Sequence, residues 1–524
     1  MADSAAPAER ERGAERWLAA GALLVLALLV VSPAFGGGFL WDDDDYVTEN
    51  ENHRSLAGLG RIWFEPTANA QYYPLVYTSF WIETRLWGLN PTGYHVVNAL
   101  LHGLACVLLW RLLERLGLGS ARALSRAWLV AALFAVHPVC VESVAWITER
   151  KNVLSAVFYF GAALWLLRFD PPQREGGAPG EGAARSWRAW GVALALFTGA
   201  LLSKTVTSTL PAAFLVVLWW KRGRLARRDV VAMLPFFALG VALGLQTAWL
   251  ERNHAGAETV LQPLERVLLA GRAPWFYASK AVAPLDLSFV YERWELDPAS
   301  AQWLFPLATL ALLGGAWALR ERAGRGLLAT LLLFGGALFP CLGFFDVYPF
   351  RYYWVADHFQ YLALPPLLAL LVSAAAAGVA RIPRAERYAP LLAALWIGVL
   401  AFFAWAHAHV FREREVLWRS VLDLNPSAWI AHHNLGVVVS ERGALEEGAG
   451  HLLEAIRLRP HDEVQHGNLD LALTRLVEFG TREEARRALE LRRAFAELLE
   501  RSGQGAAAAR ERRRARAIAA RLAR

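Results

Sequence analysis

The chain has 524 residues, 56% of them hydrophobic, with 23 tryptophans and a mean hydropathy of +0.29. A chain this long and apolar is typical of a polytopic membrane protein and excludes a single soluble domain. The net charge of +7 does not indicate nucleic-acid binding, because the basic residues cluster in short loops between apolar runs, as membrane topology signals do. Cys106, Cys140 and Cys341 lie in or beside apolar runs and have neither a disulfide nor a metal-binding spacing.

The first apolar run is followed by four consecutive aspartates at 42–45. Arginines precede the run and no clear cleavage site follows it, so we expect an uncleaved first helix with a cytoplasmic N-terminus. Hydrocarbon cannot hold four carboxylates, which places them where the helix leaves the membrane on the outer side. Crowded like charges raise one another's pKa, so one of them could act as a base or acid. The alternative is a solvated acidic cap on a helix end.

The hydropathy pattern predicts about eleven crossings, each near the roughly 20 residues that a bilayer needs. They lie at about 17–35, 95–113, 127–145, 153–169, 187–202, 206–220, 230–250, 303–319, 327–345, 361–379 and 388–410. Residues 264–284 are predicted not to cross, because a crossing there would place the basic loop 320–325 outside. Residues 170–185, rich in Pro, Gly and charge, are predicted to form a flexible cytoplasmic loop. The outer loop 41–94 is predicted to carry an amphipathic interfacial segment.

After residue 410 the charge rises and a helical repeat begins. Residues 429–460 fit the tetratricopeptide pattern, 411–426 resemble half a repeat, and 463–489 are a degraded copy. The predicted fold is therefore all-α, with a membrane domain over 1–410 and a short tetratricopeptide-repeat α-solenoid over 411–524. The solenoid ends in an Arg-rich helix, which either caps it in solvent or binds lipid or polymer. An odd number of crossings places this second domain outside.

On this topology the polar residues that do not serve topology fall on the outer face, where ionisable groups mark function by default. Carboxylates there could deprotonate a hydroxyl, Arg and Lys could hold a phosphate, and apolar grooves could admit a lipid tail. Several have simpler explanations: Arg150 and Lys151 as interface anchors, or Lys204 as a helix cap. An acidic cluster can bind Mg²⁺ or Mn²⁺, but these aspartates alone do not establish a metal.

Several short motifs recur together along the chain. They are Phe39-x-x-Asp42-Asp43-x-x-x-Val47-x-x-Asn50; Tyr73-Pro74-Leu75; Tyr94-His95-x-x-Asn98-x-x-x-His102; His137-Pro138-Val139-x-Val141-Glu142-Ser143; Arg150-Lys151-Asn152; Ser203-Lys204; and Asp357-His358-Phe359-Gln360-Tyr361. As a set they resemble the transmembrane and tetratricopeptide-repeat O-mannosyltransferase family and its bacterial relatives, over nearly the whole chain. The repeats here are fewer and more degenerate than in eukaryotic members.

The resemblance implies a GT-C glycosyltransferase fold and a polyprenyl- or dolichyl-phosphate sugar donor. Asp42 and Asp43 match the family's acidic pair, and one of them is the expected base toward the acceptor hydroxyl. The other outer-face candidates divide into two groups. Support of the acceptor site is expected from Tyr73, His95, Glu142, Asp357 and His358, and binding of the donor phosphate from Arg150, Lys151, Lys204, Arg272 and Lys280.

The resulting hypothesis is a glycosyltransferase of the bacterial inner membrane, with its acidic loop and repeats in the periplasm. It would transfer a sugar, mannose by resemblance, to a protein or glycan acceptor that the repeats present. No cofactor is required by the sequence, a divalent metal is left open, and no nucleic acid is expected. The competing hypothesis is a non-catalytic membrane scaffold whose repeats recruit periplasmic partners. A lipid flippase fits less well, because the charges lie at one face instead of the midplane.

Overall fold

The computed structural model describes residues 5–119, 125–170, 185–253 and 261–523. These residues form α-helices, short 3₁₀ segments and one π-helical turn, with no β-strand among them, which confirms the all-α prediction. The predicted flexible loop at 170–185 lies almost entirely outside the described residues. The chain divides into a first unit, Met1–Leu287 with Trp294–Arg412, and a second unit, Ser288–Arg293 with Glu413–Arg524.

The first unit consists of fifteen described helices. They are α1 (Ala5–Val31), α2 (Leu56–Phe64), α3 (Pro74–Trp87), α4 (Pro91–Arg115), α5 (Arg126–Ala135), α6 (Val141–Ala145), α7 (Arg150–Phe169), α8 (Trp187–Leu201), α9 (Leu210–Arg222), α10 (Arg227–Asn253), α11 (Pro263–Val282), α12 (Leu304–Leu319), α13 (Gly326–Leu338), α14 (Leu364–Ala380) and α15 (Ala389–Ala408).

Within the described ranges, six helical stretches are long and apolar enough to cross a membrane, judged by length and composition. They are Gly13–Gly36, Pro91–Arg115, Ile147–Phe169, Arg227–Asn253, Ala301–Leu319 and Ala385–Phe411. The bent pair of α5 and Pro138–Ala145 makes a seventh if it is counted as one span. The chain is thus an integral membrane protein, but helix length alone does not give eleven crossings.

The difference arises in four apolar helices, α8, α9, α13 and α14, which have 15, 13, 13 and 17 residues. A bilayer needs roughly 20 helical residues. The polar turn at 203–205 separates α8 from α9, and proline stands in the first turn of both α9 and α14. Because proline lacks a backbone N–H and favours the first turn, each of these two helices begins one residue before its first proline.

Helix α11 is bound to other parts of the first unit at both of its ends. Near its start, Arg266 donates hydrogen bonds to the Gly343 carbonyl (2.7 Å) and to Asp346 (2.6 Å), in the segment that follows α13. Near its end, the Ala281 carbonyl lies 3.1 Å from Nε2 of His137, which follows α5. The two ends of α11 therefore contact the segments that follow α13 and α5, and the expectation that 264–284 does not cross stays a prediction.

An ionic network joins four helix ends on the opposite side. Asp170 follows α7, Arg185 precedes α8, Arg222 ends α9 and Asp229 lies in the first turn of α10. Arg185 donates to both Asp170 (2.5 Å) and Asp229, and Arg222 also binds both carboxylates. The two arginines hold the pKa of Asp170 below its usual value, against the opposing effect of burial.

We expect Asp170→Asn to lower the thermal stability of the protein. Removing one carboxylate of this partly buried network leaves two arginines to share Asp229, which costs about 3 kcal/mol. Thermal unfolding in detergent at neutral pH measures the loss. Glu321→Gln is the matched control, because that carboxylate is 64% exposed and its ion pairs contribute little. Equal melting temperatures for the two variants would contradict a structural role for the network.

The second unit contains six described helices: α16 (Arg414–Leu424), α17 (Trp429–Glu441), α18 (Leu445–Leu458), α19 (Glu463–Phe479), α20 (Arg482–Arg501) and α21 (Gly505–Leu522). Each helix packs against the next, around a core that includes Leu452, Leu469 and Phe495. Helices α17 and α18 approach closely at Gly436, where a Cβ atom would lie 2.7 Å from the Leu452 side chain. Buried Arg492 binds Asp470 and Glu511 and so ties α20 to α19 and α21.

Candidate active site

The segment after α1 is held at its backbone before the aspartates begin. The Gly38 N–H donates to the Arg412 carbonyl (3.0 Å), and a Cβ on Gly37 would lie 3.0 Å from the Arg412 backbone. Trp41 has a φ of 42°, in the left-handed region, and residues 44–48 form a single π-helical turn. With this backbone the aspartate side chains point in different directions. Asp43 is fully buried, Asp45 is exposed, and Asp44 accepts a hydrogen bond from Thr48 (2.9 Å).

Asp43 is tied to the protein through both of its carboxylate oxygens. Oδ2 accepts from the Leu40 N–H (2.7 Å), while Oδ1 accepts from the Thr148 N–H (2.8 Å) and hydroxyl (2.5 Å). Burial raises the pKa of Asp43 to about 7, although these hydrogen bonds oppose the shift. Asp43 therefore fastens the acidic segment to the start of α7 and has little capacity left for a ligand.

Asp42 is placed differently from its neighbour. It is half-buried, and none of the described residues donates a hydrogen bond to its carboxylate. Burial raises the pKa of Asp42 to about 6, with Lys151 opposing that shift and Asp45 and Glu149 adding to it. A carboxylate with free lone pairs and a pKa near the physiological range is the group suited to accept a proton.

Two lysines and a glutamate lie beside Asp42. Glu149 accepts from Lys204 Nζ at 2.9 Å and lies 3.3 Å from Lys151 Nζ. The Lys151 ammonium also sits 4.8 Å from the centre of the Tyr46 ring and 5.8 Å from that of Trp146. Burial lowers the pKa of Lys204, while Glu149 opposes the shift. One carboxylate thus holds two ammonium groups close together, and Asp42 adds a second negative charge near Lys151.

Glu142 and His358 form a second buried pair. His358 Nδ1 lies 2.8 Å from Glu142 Oε1, and the His358 N–H donates to Oε2 at 3.2 Å. Asn152 donates to the His358 carbonyl (3.0 Å), which joins α7 to this pair. The glutamate thereby fixes the orientation of the imidazole.

Aromatic rings border the same region. Trp41 stacks on Trp146 with ring centres 5.8 Å apart and meets the edge of Tyr352 at 5.4 Å. Aromatic faces of this kind offer a flat apolar surface beside the charged groups.

Arg150 is placed away from these groups. It is 0% exposed, and its guanidinium pairs with Glu83 through two nitrogens and donates to Asn98, Ser79 (3.1 Å) and the Tyr94 carbonyl (3.0 Å). All of its N–H groups bind acceptors within the protein, so Arg150 has none left to bind the phosphate of a sugar donor. It links α3, α4 and α7 instead.

The remaining predicted residues are only partly brought together. Tyr73 is buried with its hydroxyl 3.5 Å from Thr205, next to Lys204, and burial raises its pKa to about 12. His95 is 1% exposed in α4 and Asp357 is 1% exposed beside His358. Arg272 lies over the Trp294 ring (4.1 Å), and Lys280 donates to the Leu285 and Asp286 carbonyls. Neither α11 cation contacts the cluster formed by Glu149, Lys151 and Lys204.

Three polar residues at this site were not predicted from the sequence. Tyr46 donates its hydroxyl to Gln71 Oε1 (2.6 Å), and Gln71 Nε2 donates to Glu251 (3.4 Å). Glu251 stands in a Glu-Arg-Asn run at the end of an apolar helix, which reads as an ordinary membrane exit. Glu149 was visible in the short loop before α7, but the sequence gives no sign that it bridges two lysines.

A cavity of about 860 Å³ opens beside this cluster. Its walls are mostly apolar and come from α9, α10, α11, α12 and α13. Thr205, Glu251 and Asp346 lie among its lining residues, and Thr205 directly follows Lys204. The cavity is therefore apolar along its length and polar where it approaches the charged cluster. No group of three or more His, Cys, Asp or Glu suited to a metal occurs among the residues that were described.

Comparison with known proteins gives a consistent set of relatives. Protein O-mannosyl-transferase TMTC4 of Mus musculus is 32% identical over 196 residues, which are 34% of this chain and 26% of that protein. Protein O-mannosyl-transferase Tmtc2 of Drosophila melanogaster is 28% identical over 304 residues, 53% of this chain and 31% of that protein. A third relative, protein O-mannosyl-transferase F38B6.6 of Caenorhabditis elegans, is 30% identical over 154 residues, 27% of this chain and 22% of that protein.

The matched segments cover about a fifth to a third of the relatives' length. No family model matches the chain, and no solved structure matches it. The proteins it resembles in sequence are nevertheless named as one group, so the resemblance to the transmembrane and tetratricopeptide-repeat O-mannosyltransferases is confirmed.

Proposed function

We propose that the protein is a membrane glycosyltransferase of the GT-C type. It transfers a hexose, mannose by analogy with the names of its relatives, from a polyprenyl- or dolichyl-phosphate donor to an acceptor hydroxyl. The observation that carries the proposal is the proximity of three features. They are the apolar cavity, the pair of lysines on Glu149 next to its lining residue Thr205, and the carboxylate of Asp42, to which no described residue donates a hydrogen bond.

The donor lipid fits the cavity in a defined direction. Its isoprenoid tail lies against the apolar helices α9, α10 and α13, and its phosphate lies near Lys204 and Lys151. Positive charge in a water-poor site stabilises the negative charge that the phosphate gains as a leaving group. Trp41, Trp146 and Tyr352 provide aromatic surface for the sugar ring.

The reaction is a single displacement with inversion. The acceptor oxygen attacks the anomeric carbon, the bond from that carbon to the phosphate oxygen breaks, and the lipid phosphate leaves with the electron pair. Asp42 takes the proton from the acceptor hydroxyl. Glu142 orients His358 at the edge of the same site, where both support the acceptor.

The proposal also covers the number of membrane crossings, the side of the membrane that the site faces and the role of the second unit. The shorter apolar helices complete about eleven crossings, the site faces the periplasmic side of a bacterial inner membrane, and helices α16–α20 form tetratricopeptide repeats that present the acceptor. Close packing at Gly436 and the stacked helical hairpins support the repeat assignment. The competing hypothesis, a non-catalytic scaffold, does not account for a buried site with this charge distribution.

Donor binding is tested with Lys204→Met. We expect this variant to fold, because Glu149 retains Lys151 as a partner, and to bind donor about 10-fold or more weakly, since a charge-assisted contact contributes about 1.5–3 kcal/mol. The assay feeds purified protein polyprenyl-phosphate mannose or glucose with peptide and glycan acceptors, with EDTA and with added Mg²⁺. Lys221→Met is the control, as its ammonium binds the Leu116 carbonyl at the other end of the helices. Wild type that neither transfers sugar nor gains thermal stability from any lipid phosphate would overturn the proposal.

A further inference from the structure

Glu251 is a buried carboxylate that the proposed mechanism does not use. It stands in the last turn of α10, is 8% exposed and lines the polar end of the cavity. Its two oxygens accept from Gln71 Nε2 and from the Tyr348 N–H, each at 3.4 Å. Both distances lie at the long limit for hydrogen bonds, so the carboxylate is weakly satisfied.

Glu251 has no ion-pair partner among the described residues. Among the described residues no Lys, Arg or His forms an ion pair with it, and the nearby ammonium groups of Lys151 and Lys204 are bound to Glu149. A buried carboxylate has about four acceptor positions and a high cost when they stay empty. Hydrogen bonds donated by a bound ligand would offset that cost.

Gln71 fixes the direction in which Glu251 points. Its carbonyl oxygen accepts from the Tyr46 hydroxyl at 2.6 Å, which leaves its amide N–H₂ to face Glu251. Tyr46 itself is held between the Tyr77 ring, 5.0 Å away, and the Lys151 ammonium. The acidic segment after α1 is thus connected through Tyr46 and Gln71 to the carboxylate in the cavity.

The position of Glu251 along α10 identifies the part of a ligand it meets. The cavity follows one face of this helix through Gly240, Gly244 and Ala248 to Glu251, a rise of about 16 Å. All but the last of these positions are apolar and suit a lipid tail. The ammonium groups of Lys151 and Lys204 are the partners suited to the phosphate, which leaves the hydroxyl-rich sugar as the partner of Glu251.

We propose that Glu251, positioned by Gln71, binds hydroxyl groups of the donor sugar and determines which hexose is accepted. The inference rests on the proposed function, since it assumes a lipid-phosphate sugar in this cavity. Carboxylates are strong acceptors for hydroxyl donors, and a site built to bind a hydroxyl discriminates sharply against an analogue that lacks it.

The test compares wild type with Glu251→Gln in the full-length protein. Donors are polyprenyl-phosphate mannose, polyprenyl-phosphate glucose and mannose donors that each lack one hydroxyl. We expect Glu251→Gln to lower kcat/KM for the mannose donor about 10- to 100-fold and to change the mannose-to-glucose ratio. In wild type, kcat/KM for one of the deoxy donors should be lower than for the mannose donor by a similar factor. In Glu251→Gln, kcat/KM should be nearly the same for that deoxy donor and for the mannose donor.

Two further measurements separate a ligand contact from a structural role. The thermal shift given by polyprenyl phosphate without a sugar should be the same in wild type and Glu251→Gln, since the phosphate site is unchanged. Asp346→Asn is the matched control: this carboxylate also lines the cavity but is bound to Arg266, so its loss should lower stability and leave sugar selectivity unchanged.

The outcomes distinguish this inference from the proposed function. Wild type that binds and transfers from no lipid-phosphate sugar overturns both. Wild type that transfers, with an unchanged selectivity ratio and an unchanged deoxy-donor pattern in Glu251→Gln, overturns the role of Glu251 alone. If polyprenyl phosphate without a sugar no longer raises the melting temperature of Glu251→Gln, the residue supports the structure of the phosphate site. That result likewise contradicts sugar recognition.

Discussion

Replacing Asp42 with asparagine is expected to reduce sugar transfer by about 10²–10⁴-fold, the usual contribution of a positioned general base. The melting temperature should stay near that of wild type, because no described residue donates a hydrogen bond to this carboxylate. Removing a partly buried charge with a raised pKa also relieves a desolvation cost. Initial rates with a saturating donor, measured together with thermal unfolding, test both parts.

The neighbouring variant Asp43→Asn provides the contrast. An asparagine offers one acceptor oxygen where Asp43 uses two, so its N–H₂ would face either the Leu40 N–H or the Thr148 donors. An unsatisfied buried donor costs about 1–3 kcal/mol, and we expect a lower melting temperature with a secondary loss of activity. If Asp43→Asn instead abolished transfer with full stability while Asp42→Asn remained active, the assignment of the base would be reversed.

The pH dependence follows from the same two carboxyl groups. Transfer should rise with pH through about 6, because Asp42 must be deprotonated to accept a proton. Stability should change in the opposite direction. The folded-state pKa values of about 6 and 7 lie above the ordinary value of 3.8, so the folded protein binds more protons than the unfolded chain between about pH 4 and 7. Their contribution to stability is therefore present below pH 4 and lost as pH rises to 7.

Arg150→Met is expected to destabilise the protein by about 3–5 kcal/mol. The substitution leaves Glu83 buried and unpaired and removes the donors that bind Asn98, Ser79 and the Tyr94 carbonyl. We expect a reduced yield in detergent and a lower melting temperature, which thermal unfolding measures. The double variant Glu83→Leu/Arg150→Met should recover part of the loss, since no buried charge is then left alone.

Lys151→Met is the matched control for Arg150, as the adjacent cation of the same helix. Glu149 keeps Lys204 as its partner in this variant, so we expect a folded protein with weakened donor binding. A folded Arg150→Met protein with a normal melting temperature and a raised KM for the donor would restore the sequence-based expectation that Arg150 binds the donor phosphate.

The sequence alone determined the class of the protein and the neighbourhood of its site. Composition and hydropathy require apolar helices in a membrane, since only helices satisfy their backbone groups in hydrocarbon without strand partners. The four aspartates at 42–45 cannot enter that hydrocarbon, so they mark a helix end, and the motifs around them carry the resemblance that the relatives confirm. Because consecutive helices alternate in direction, polar residues from every second connection were expected to converge.

Only the tertiary structure decided what each polar residue does there. Successive residues on a helix point about 100° apart, so Arg150 faces Glu83 in the protein interior while Lys151 faces Tyr46 and Glu149. Asp42 and Asp43 differ in the same way: Asp43 accepts hydrogen bonds from Thr148, whereas no described residue donates one to Asp42. Gln71 and Glu251 are 180 positions apart and meet only through packing. A linear pattern encodes which residues are polar, but burial, direction and partners are set by the helices that pack around them.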